Sequence, residues 1–375
     1  MQNWEIKKVA EICSIQTGKH DANHATETGK YRFYTCAAQY LWCDTVRFSG
    51  ECLILPGNGV NVGEVYYYNG DFDAYQRTYV ISEISKDVYA RFLYYNMLLN
   101  WKKNGTAKQY GSATNFIKIG NFLEYEIPLP PLEEQKRIVK ILDEKFAQLE
   151  TVKANAKANL QNAKDLFQSQ LTKVFSNTTW EKKVLLKDIA KDFSRGKSKH
   201  RPRNDKCLFG GNYPFIQTGD IRNTEKYITE YVDTYNETGL AQSKLWPEGT
   251  LCITIAANIA ETAILTFPCC FPDSVIGFVP NEDITTADYV FYLLQFFKAE
   301  LQVLGKGAAQ DNINLGTFEK MEFPLPPLSE QKRIVEQLDS LSEKTKALQD
   351  IYKKILLDCD ELKQALLQKA FDAGL

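Results

Sequence analysis

The sequence predicts a mixed α/β (α+β) chain: two similar domains joined by two long antiparallel coiled-coil helices with pseudo-twofold symmetry. Three observations carry this. The phrase "EIPLPPLEEQKRIVKILD" from Glu126 to Asp143 returns as "EFPLPPLSEQKRIVEQLD" from Glu322 to Asp339, 196 residues later. Each phrase opens a segment free of proline and glycine that runs to Ser176 or to Phe371, about 44 residues each. Ahead of each phrase stands a region of about 130 to 150 residues with strand-like and helix-like stretches in the same order.

The first domain is expected over 1–131 and opens with "WEIKKVAEI" at Trp4; the second, over 177–327, opens with "WEKKVLLKDIA" at Trp180. In the first, "ECLILP" (Glu51–Pro56), "GEVYYY" (Gly63–Tyr68) and "RTYVISEI" (Arg77–Ile84) have the β-branched and aromatic content of strands. "DVYARFLYYNMLLNWKK" (Asp87–Lys103) follows as an amphipathic helix. The second domain repeats the order with "GTLCITIA", "ETAILTF", "SVIGFVP" and "TTADYVFYLLQFFKAELQ".

The long helices are expected over 132–176 and 328–375. Pro130-Pro131 and Pro326-Pro327 suit an extended entry and a first turn that has no use for an N–H. Glu133, Glu134 and Glu330 then complement the positive end of the helix dipole. Each helix spans about 65 Å at ~1.5 Å per residue and needs a partner for its apolar stripe. In the second, Ile334, Leu338, Leu341, Thr345, Leu348, Tyr352, Ile355, Cys359, Leu362 and Leu366 fall at heptad spacing. The first keeps that register through Ile138, Leu142, Leu149, Val152 and Ala156. One extra four-residue step then leads to Leu160, Ala163, Phe167, Leu171 and Val174. Ala154, Ala156, Ala158 and Ala163 would admit a close neighbour. The stripes can cover each other within the chain; independent hairpins or intermolecular coils are the alternative.

Composition limits the chemistry. With 375 residues and 44% hydrophobic content the chain can bury real cores. No apolar run approaches a membrane span and no leader pattern opens the chain, so a cytoplasmic protein is expected. Nine scattered cysteines suggest reduced thiols, and these with three histidines suggest no metal set. The Gly-Lys pairs lack the earlier glycine of a phosphate loop, and no G-x-G-x-x-G turn or amino-methyltransferase Asn/Asp-Pro-Pro-aromatic stretch occurs. Pro272-Asp273 resembles the start of a nuclease set, but the first later Glu-x-Lys, Glu330-Gln331-Lys332, lies in the repeated helix start. A self-contained enzyme is not expected.

Net charge is −2, so any polyanion contact must be local. "RGKSKHRPRNDK" (Arg195–Lys206) sets six Lys/Arg against one Asp in what reads as a flexible, exposed loop. Lys197, Lys199, Arg201 and Arg203 are its candidate phosphate contacts. The matching stretch of the first domain, Thr17–Arg32, offers Lys19, His20 and Arg32. "NWKKNGTAKQY" adds Lys102, Lys103 and Lys108 beside Trp101 and Tyr110, which suits a backbone contact or a plain helix end. Asn58, Asn61 and Asn258 lie in equivalent loops between strands, able to meet an adenine edge or simply to form turns.

The two "PLPPL-x-EQKRIV" helix starts, "YPFIQTGDI" (Tyr213–Ile221), "FPDSVIGFVP" (Phe271–Pro280) and "GAAQDNI" (Gly307–Ile313) resemble the specificity subunits of type I restriction–modification systems. The first domain departs from this wording: "YRFYTCAAQY" stands where the second has "YPFIQTGDI". The resemblance implies that each domain is a target recognition domain reading one half of a split DNA sequence. It points to Gln217 and Thr218 in the second, and to Tyr34 at the matching place in the first. It also implies two modification (methyltransferase) subunits and restriction (translocase/nuclease) subunits as partners on double-stranded DNA. No cofactor is expected in this chain; S-adenosylmethionine, ATP and Mg would sit on the partners. A type II system with a fused nuclease–methyltransferase partner and an orphan DNA-binding module remain the alternatives.

Overall fold

The structure, a computed structural model, describes residues 4–106, 110, 115–176, 180, 182–256, 259–306, 313, 315–318 and 320–372. It divides into two compact units, one of residues 1–158 with 352–375, the other of residues 159–351.

In the first unit, four antiparallel strands lie in the order Ser14–Thr17, Thr78–Ser82, Glu51–Pro56, Tyr66–Asn69. Glu51–Pro56 sits inside this sheet, which is why all its residues after Glu51 are buried. The other two strands are shorter than the sequence suggested: Tyr66 rather than Gly63 begins one, and Thr78–Ser82 replaces Arg77–Ile84. Gly63, at φ +104°, takes a backbone conformation that strand residues do not. A three-stranded sheet, Leu41–Cys43, Tyr31–Tyr34, Phe72–Ala74, stands beside it. The helix covers Ala90–Asn100, and Trp101–Gly105 forms a π turn in place of its expected last turn.

The second unit repeats this order. Ala190–Arg195, Val275–Pro280, Leu251–Thr254 and Thr262–Leu265 form the antiparallel series, with Tyr227–Ile228 added parallel at the edge. A further sheet runs Asp233–Tyr235, Phe209–Phe215, Cys269–Cys270, Leu245–Trp246, and the helix covers Ala287–Lys306.

The long helices cover Leu132–Phe175 and Leu328–Asp372. Within the first unit they run antiparallel, since Glu150 meets Lys363 while Lys153 meets Asp360. Ile138, Leu142 and Leu149 share a core there with Cys359, Leu367 and Ala370. Within the second unit Leu171 and Phe175 share a core with Ile334 and Leu338. The seam departs from the strict heptad of the second helix. Leu348 is exposed, and Leu362 is 50% exposed while Leu367 and Ala370 are buried. A straight helix drifts about 20° per heptad, so an extra step corrects the stripe here as it does in the first helix. There, Val152 is 45% exposed and the stem of Lys153 fills the seam position instead. Ala156 and Ala163 are buried in it; Ala154 and Ala158 are exposed.

The repeated phrase has a structural role in both units. Gln135 is fully buried, donating to Pro130 O at 2.8 Å and Asp87 O at 2.9 Å and accepting from Tyr89 N at 2.7 Å. Gln331 does the same with Pro326 O and Ile284 O, both at 2.9 Å, and accepts from Thr285 Oγ1 at 2.9 Å. Each glutamine staples its helix start to the loop that leads into the domain helix. The neighbouring Glu134–Arg137 and Glu330–Arg333 pairs lie on the surface.

Two turns further on, a second fastening repeats. Asp143 accepts from Arg91 at 2.7 Å and from Tyr95 at 2.5 Å; Asp339 accepts from Lys226 at 2.5 Å and from Tyr292. Lys226 also pairs with Asp288 at 2.8 Å. Burial pushes the Asp288 carboxyl up, but hydrogen bonds from Lys226 and Tyr227 outweigh it and hold it below the usual carboxylate value. Its contribution is therefore present above an unfolded value of about 3.9 and is lost as pH falls through the lower folded value. Lys226→Met is expected to destabilise this unit by about 2 kcal/mol, discounted because both acids are partly exposed. Urea unfolding at neutral pH and at pH below 4 checks it: the deficit should shrink in acid.

Candidate nucleic-acid interface

In the second unit the strand Ala190–Arg195 delivers the basic loop at Gly196, which has no room for a side chain. A Cβ there would lie 2.4 Å from the carbonyl oxygens of Phe271 and Pro272. The equivalent Gly18 of the first unit is tighter still, with Ala74 O at 1.6 Å from such a Cβ. These two Gly-Lys pairs, which look like fragments of a phosphate loop, are thus places where one backbone passes against another.

The loop is exposed, yet tied down along its length rather than loose. Arg195 donates to Asp273 O, Arg203 pairs with the Asp273 carboxylate at 2.5 Å, and Arg201 approaches it at 3.6 Å. Arg201 also donates to the carbonyls of Ser198 and His200. Gln242 accepts from the backbone N–H groups of Lys199 and His200 at 2.7 and 3.1 Å. The Pro-Asp pair that resembled a nuclease motif is the anchor of this loop. Lys197 and Lys199 differ from the arginines: both are exposed and neither forms an ion pair among the described residues.

Behind the loop lies a cavity of about 300 Å³. Arg203, Gln217 and Thr218 line it, against an apolar wall of Phe209 and Phe215. Gln217 caps the short helix Thr218–Asn223, its N–H donating to Asp220 at 2.7 Å, and its side chain is exposed. The fold therefore joins two stretches chosen separately, the basic loop and the "IQTGDI" segment. Ala256, from the third chosen loop, lines the same cavity; Asn258 lies outside the described residues.

The first unit is built differently. Tyr34 is 8% exposed and packs on Phe72, so it supports the surface rather than presenting a contact. Arg32 lies between the rings of Tyr40 and Tyr68, 4.3 Å from each, and donates to Tyr34 at 3.2 Å. Asn61 donates to Cys36 O at 2.8 Å, a loop-tying role, and Asn58 bridges to Phe116 through its backbone. Lys102 pairs with Glu64 at 3.5 Å and Lys103 is exposed, but Trp101 between them and the helix is fully buried. The aromatic partner expected beside these lysines belongs to the core. Lys108 lies outside the described residues. Lys19 is exposed and His20 half-buried.

All nine cysteines are free. Burial pushes the Cys13 thiol up to about 12 and the Cys52 thiol up to about 11, which makes both inert. Cys207 is exposed, near His200 and Asp205, which pair at 3.0 Å. The Cys207 N–H and then His200 hold the Asp205 carboxyl down to about 2. No helix among the described residues is long and apolar enough to cross a membrane.

Two copies of one mixed module, each fastened to a long helix by the same glutamine and the same aspartate, define a duplicated recognition protein. The type I restriction modification DNA specificity domain matches residues 1–161 and again residues 177–357, and the chain belongs to that family. It is 26% identical to the type I restriction enzyme EcoDI specificity subunit of Escherichia coli, covering 98% of this chain and 88% of that one. Identity is also 26% with the MjaVIII specificity subunit of Methanocaldococcus jannaschii, over 91% of this chain and 86% of the relative. Among solved structures, a chain from a study of complex assembly and conformational transition in the type I R-M system matches with TM-score 0.80. That match has 20% identity and covers 100% of this chain and 99% of the other. The HsdS subunit from Thermoanaerobacter tengcongensis matches with TM-score 0.62 at 20% identity, over 100% and 98%.

Proposed function

We propose that this chain is the DNA sequence-specificity subunit of a type I restriction–modification complex. Each recognition domain reads one half of a bipartite, asymmetric target. The duplication carries the reading: two copies of one specificity domain in a single chain suit a target with two unlike halves. In the second domain Lys197 and Lys199 neutralise phosphates, while Gln217 and Thr218 reach base edges from the rim of the cavity. In the first, Lys19, Lys102 and Lys103 occupy the corresponding surface role.

Methyl transfer and cleavage belong to partner subunits in this reading. Two modification subunits bring S-adenosylmethionine and methylate adenine at N6 on an extruded base; restriction subunits bring ATP and Mg²⁺. The complex works in the cytoplasm, where the chromosome is. The test is genome-wide mapping of N6-methyladenine with and without this gene. Loss of one motif, two short constant parts around a fixed gap, supports the proposal; an unchanged methylome in a cell with an active partner methyltransferase overturns it.

The free lysines and the committed arginines of the basic loop separate experimentally. Lys197→Ala with Lys199→Ala is expected to weaken the complex on every duplex and to reduce the salt slope by about 0.9 per lost phosphate contact. Arg201→Ala with Arg203→Ala should leave the slope nearer its original value, because Asp273 pairs with Arg203 and lies beside Arg201, whose guanidinium is also held by the Ser198 and His200 carbonyls. Filter binding across a salt series measures each.

A further inference from the structure

We infer that the first recognition domain holds a zinc-class divalent cation between His20, His24 and Asp73. The three side chains come from two separate places. His24 ends the 3-10 turn Ala22–His24 and His20 lies just before it; Asp21 caps the turn by accepting from Ala22 N at 2.6 Å. Asp73 lies on the strand Phe72–Ala74. One ligand atom from each can be chosen so that all lie within 4.8 Å of one another.

The carboxylate is the strongest part of the argument. Asp73 is 1% exposed, and among the described residues no lysine or arginine pairs with it. A buried carboxylate needs a compensating charge. The nearest candidate is His20, at 3.5 Å and 41% exposed at its side chain, which is cationic only when protonated. A bound divalent cation supplies that charge with both histidines neutral.

The surroundings prepare the site further. Ala74 N donates to Asp73 Oδ1 at 2.7 Å and Thr45 Oγ1 to Asp73 Oδ2 at 2.6 Å, orienting the carboxylate as outer partners of metal ligands do. Thr45 Oγ1 also lies 2.8 Å from His24 Nε2. The two imidazoles stack with centroids 3.7 Å apart, an arrangement that binding of the ion would open, and Phe33 meets His24 edge-on. Ligand atoms on one tetrahedral zinc lie about 3.4 Å apart, given bonds of ~2.0–2.1 Å. Because the two rings lie parallel, with 7° between their planes, one imidazole must turn out of the stack for both to aim a ring nitrogen at the same ion. Three protein ligands leave a fourth position for water. The consequence is local: the ion would tie the loop that carries Lys19 to the strand beneath it, fixing a candidate DNA contact.

The test uses the full-length chain, purified with its modification subunits, stripped with chelator and titrated with Zn²⁺ and with Co²⁺. The expected result is tight zinc binding that His24→Ala and Asp73→Asn abolish, each folded by circular dichroism. Thr45→Val should weaken it roughly 10- to 100-fold. Cobalt should give tetrahedral visible bands without a sulfur-to-cobalt charge-transfer band. Zinc should also raise the thermal midpoint of the wild-type chain and not that of His24→Ala. The inference is overturned if no zinc binds, or if binding survives His24→Ala and Asp73→Asn. A sulfur charge-transfer band that disappears in Cys207→Ser overturns it too, since the metal would then sit on His200, Asp205 and Cys207.

Discussion

Gln331→Ala is expected to lower the unfolding free energy of its unit by about 3 kcal/mol, and Gln135→Ala to do nearly the same in the other. The carboxamide of Gln331 serves two carbonyls and one hydroxyl at once, and it is fully buried. Removing it strands those partners, and each buried group left unmade costs about 1–3 kcal/mol. The value for Gln135 is slightly smaller because two of its partners, Asp87 O and Tyr89 N, are only partly buried. Lys332→Ala and Lys136→Ala, one residue along and exposed, should change stability by no more than ~0.5 kcal/mol. Urea denaturation decides it: the midpoint should fall at constant slope for the glutamine variants alone. Equal midpoints for Gln331→Ala and Lys332→Ala would remove the staple from the account of why the phrase repeats.

The duplication and the long helices were legible because they rest on local signals: proline pairs, acidic first turns and long runs without helix breakers. The strand order was legible in outline, but strand ends were not. Gly63 reads as strand in "GEVYYY", whereas its backbone takes a positive φ that closes the preceding loop. The heptad of the second helix failed at Leu362 for a related reason: a repeat written in sevens cannot say where a straight helix resets its stripe. At the candidate site the gap was larger. Arg201 and Arg203 look like free cations in sequence, and only the fold brings Asp273 to them from 70 residues away. His20 and His24 stand four apart, but that spacing aims both at one ion only on an α-helix, which this stretch does not form, and the third member of the proposed set is a lone aspartate in "FDA". Long-range pairing leaves no mark on either short stretch. Trp101 reads as an interfacial aromatic because lysines follow it; its ring packs on Phe122 and Tyr125 in the core.

Gln217→Ala is expected to relax one position in one half of the methylated motif, leaving the other half and the gap as they were. A glutamine can pair with both the N6 and N7 atoms of an adenine, and losing such a contact costs about 1–3 kcal/mol of discrimination, or roughly 5- to 150-fold. Gln217 sits where this is feasible: exposed, at a helix start, on the rim of a cavity that Arg203 shares. Its weak 3.4 Å contact with Asp233 gives up little when the side chain turns to a base. Competition binding on duplexes substituted one base pair at a time separates the roles. A loss confined to one base pair marks Gln217 as a reader. An equal loss on every duplex would mark it as a contact that positions the backbone, the behaviour expected of Lys197. Because only one recognition domain is altered, the base preferences of the other half-site serve as an internal control, and preferences that change in both halves would indicate damage to folding instead of to recognition.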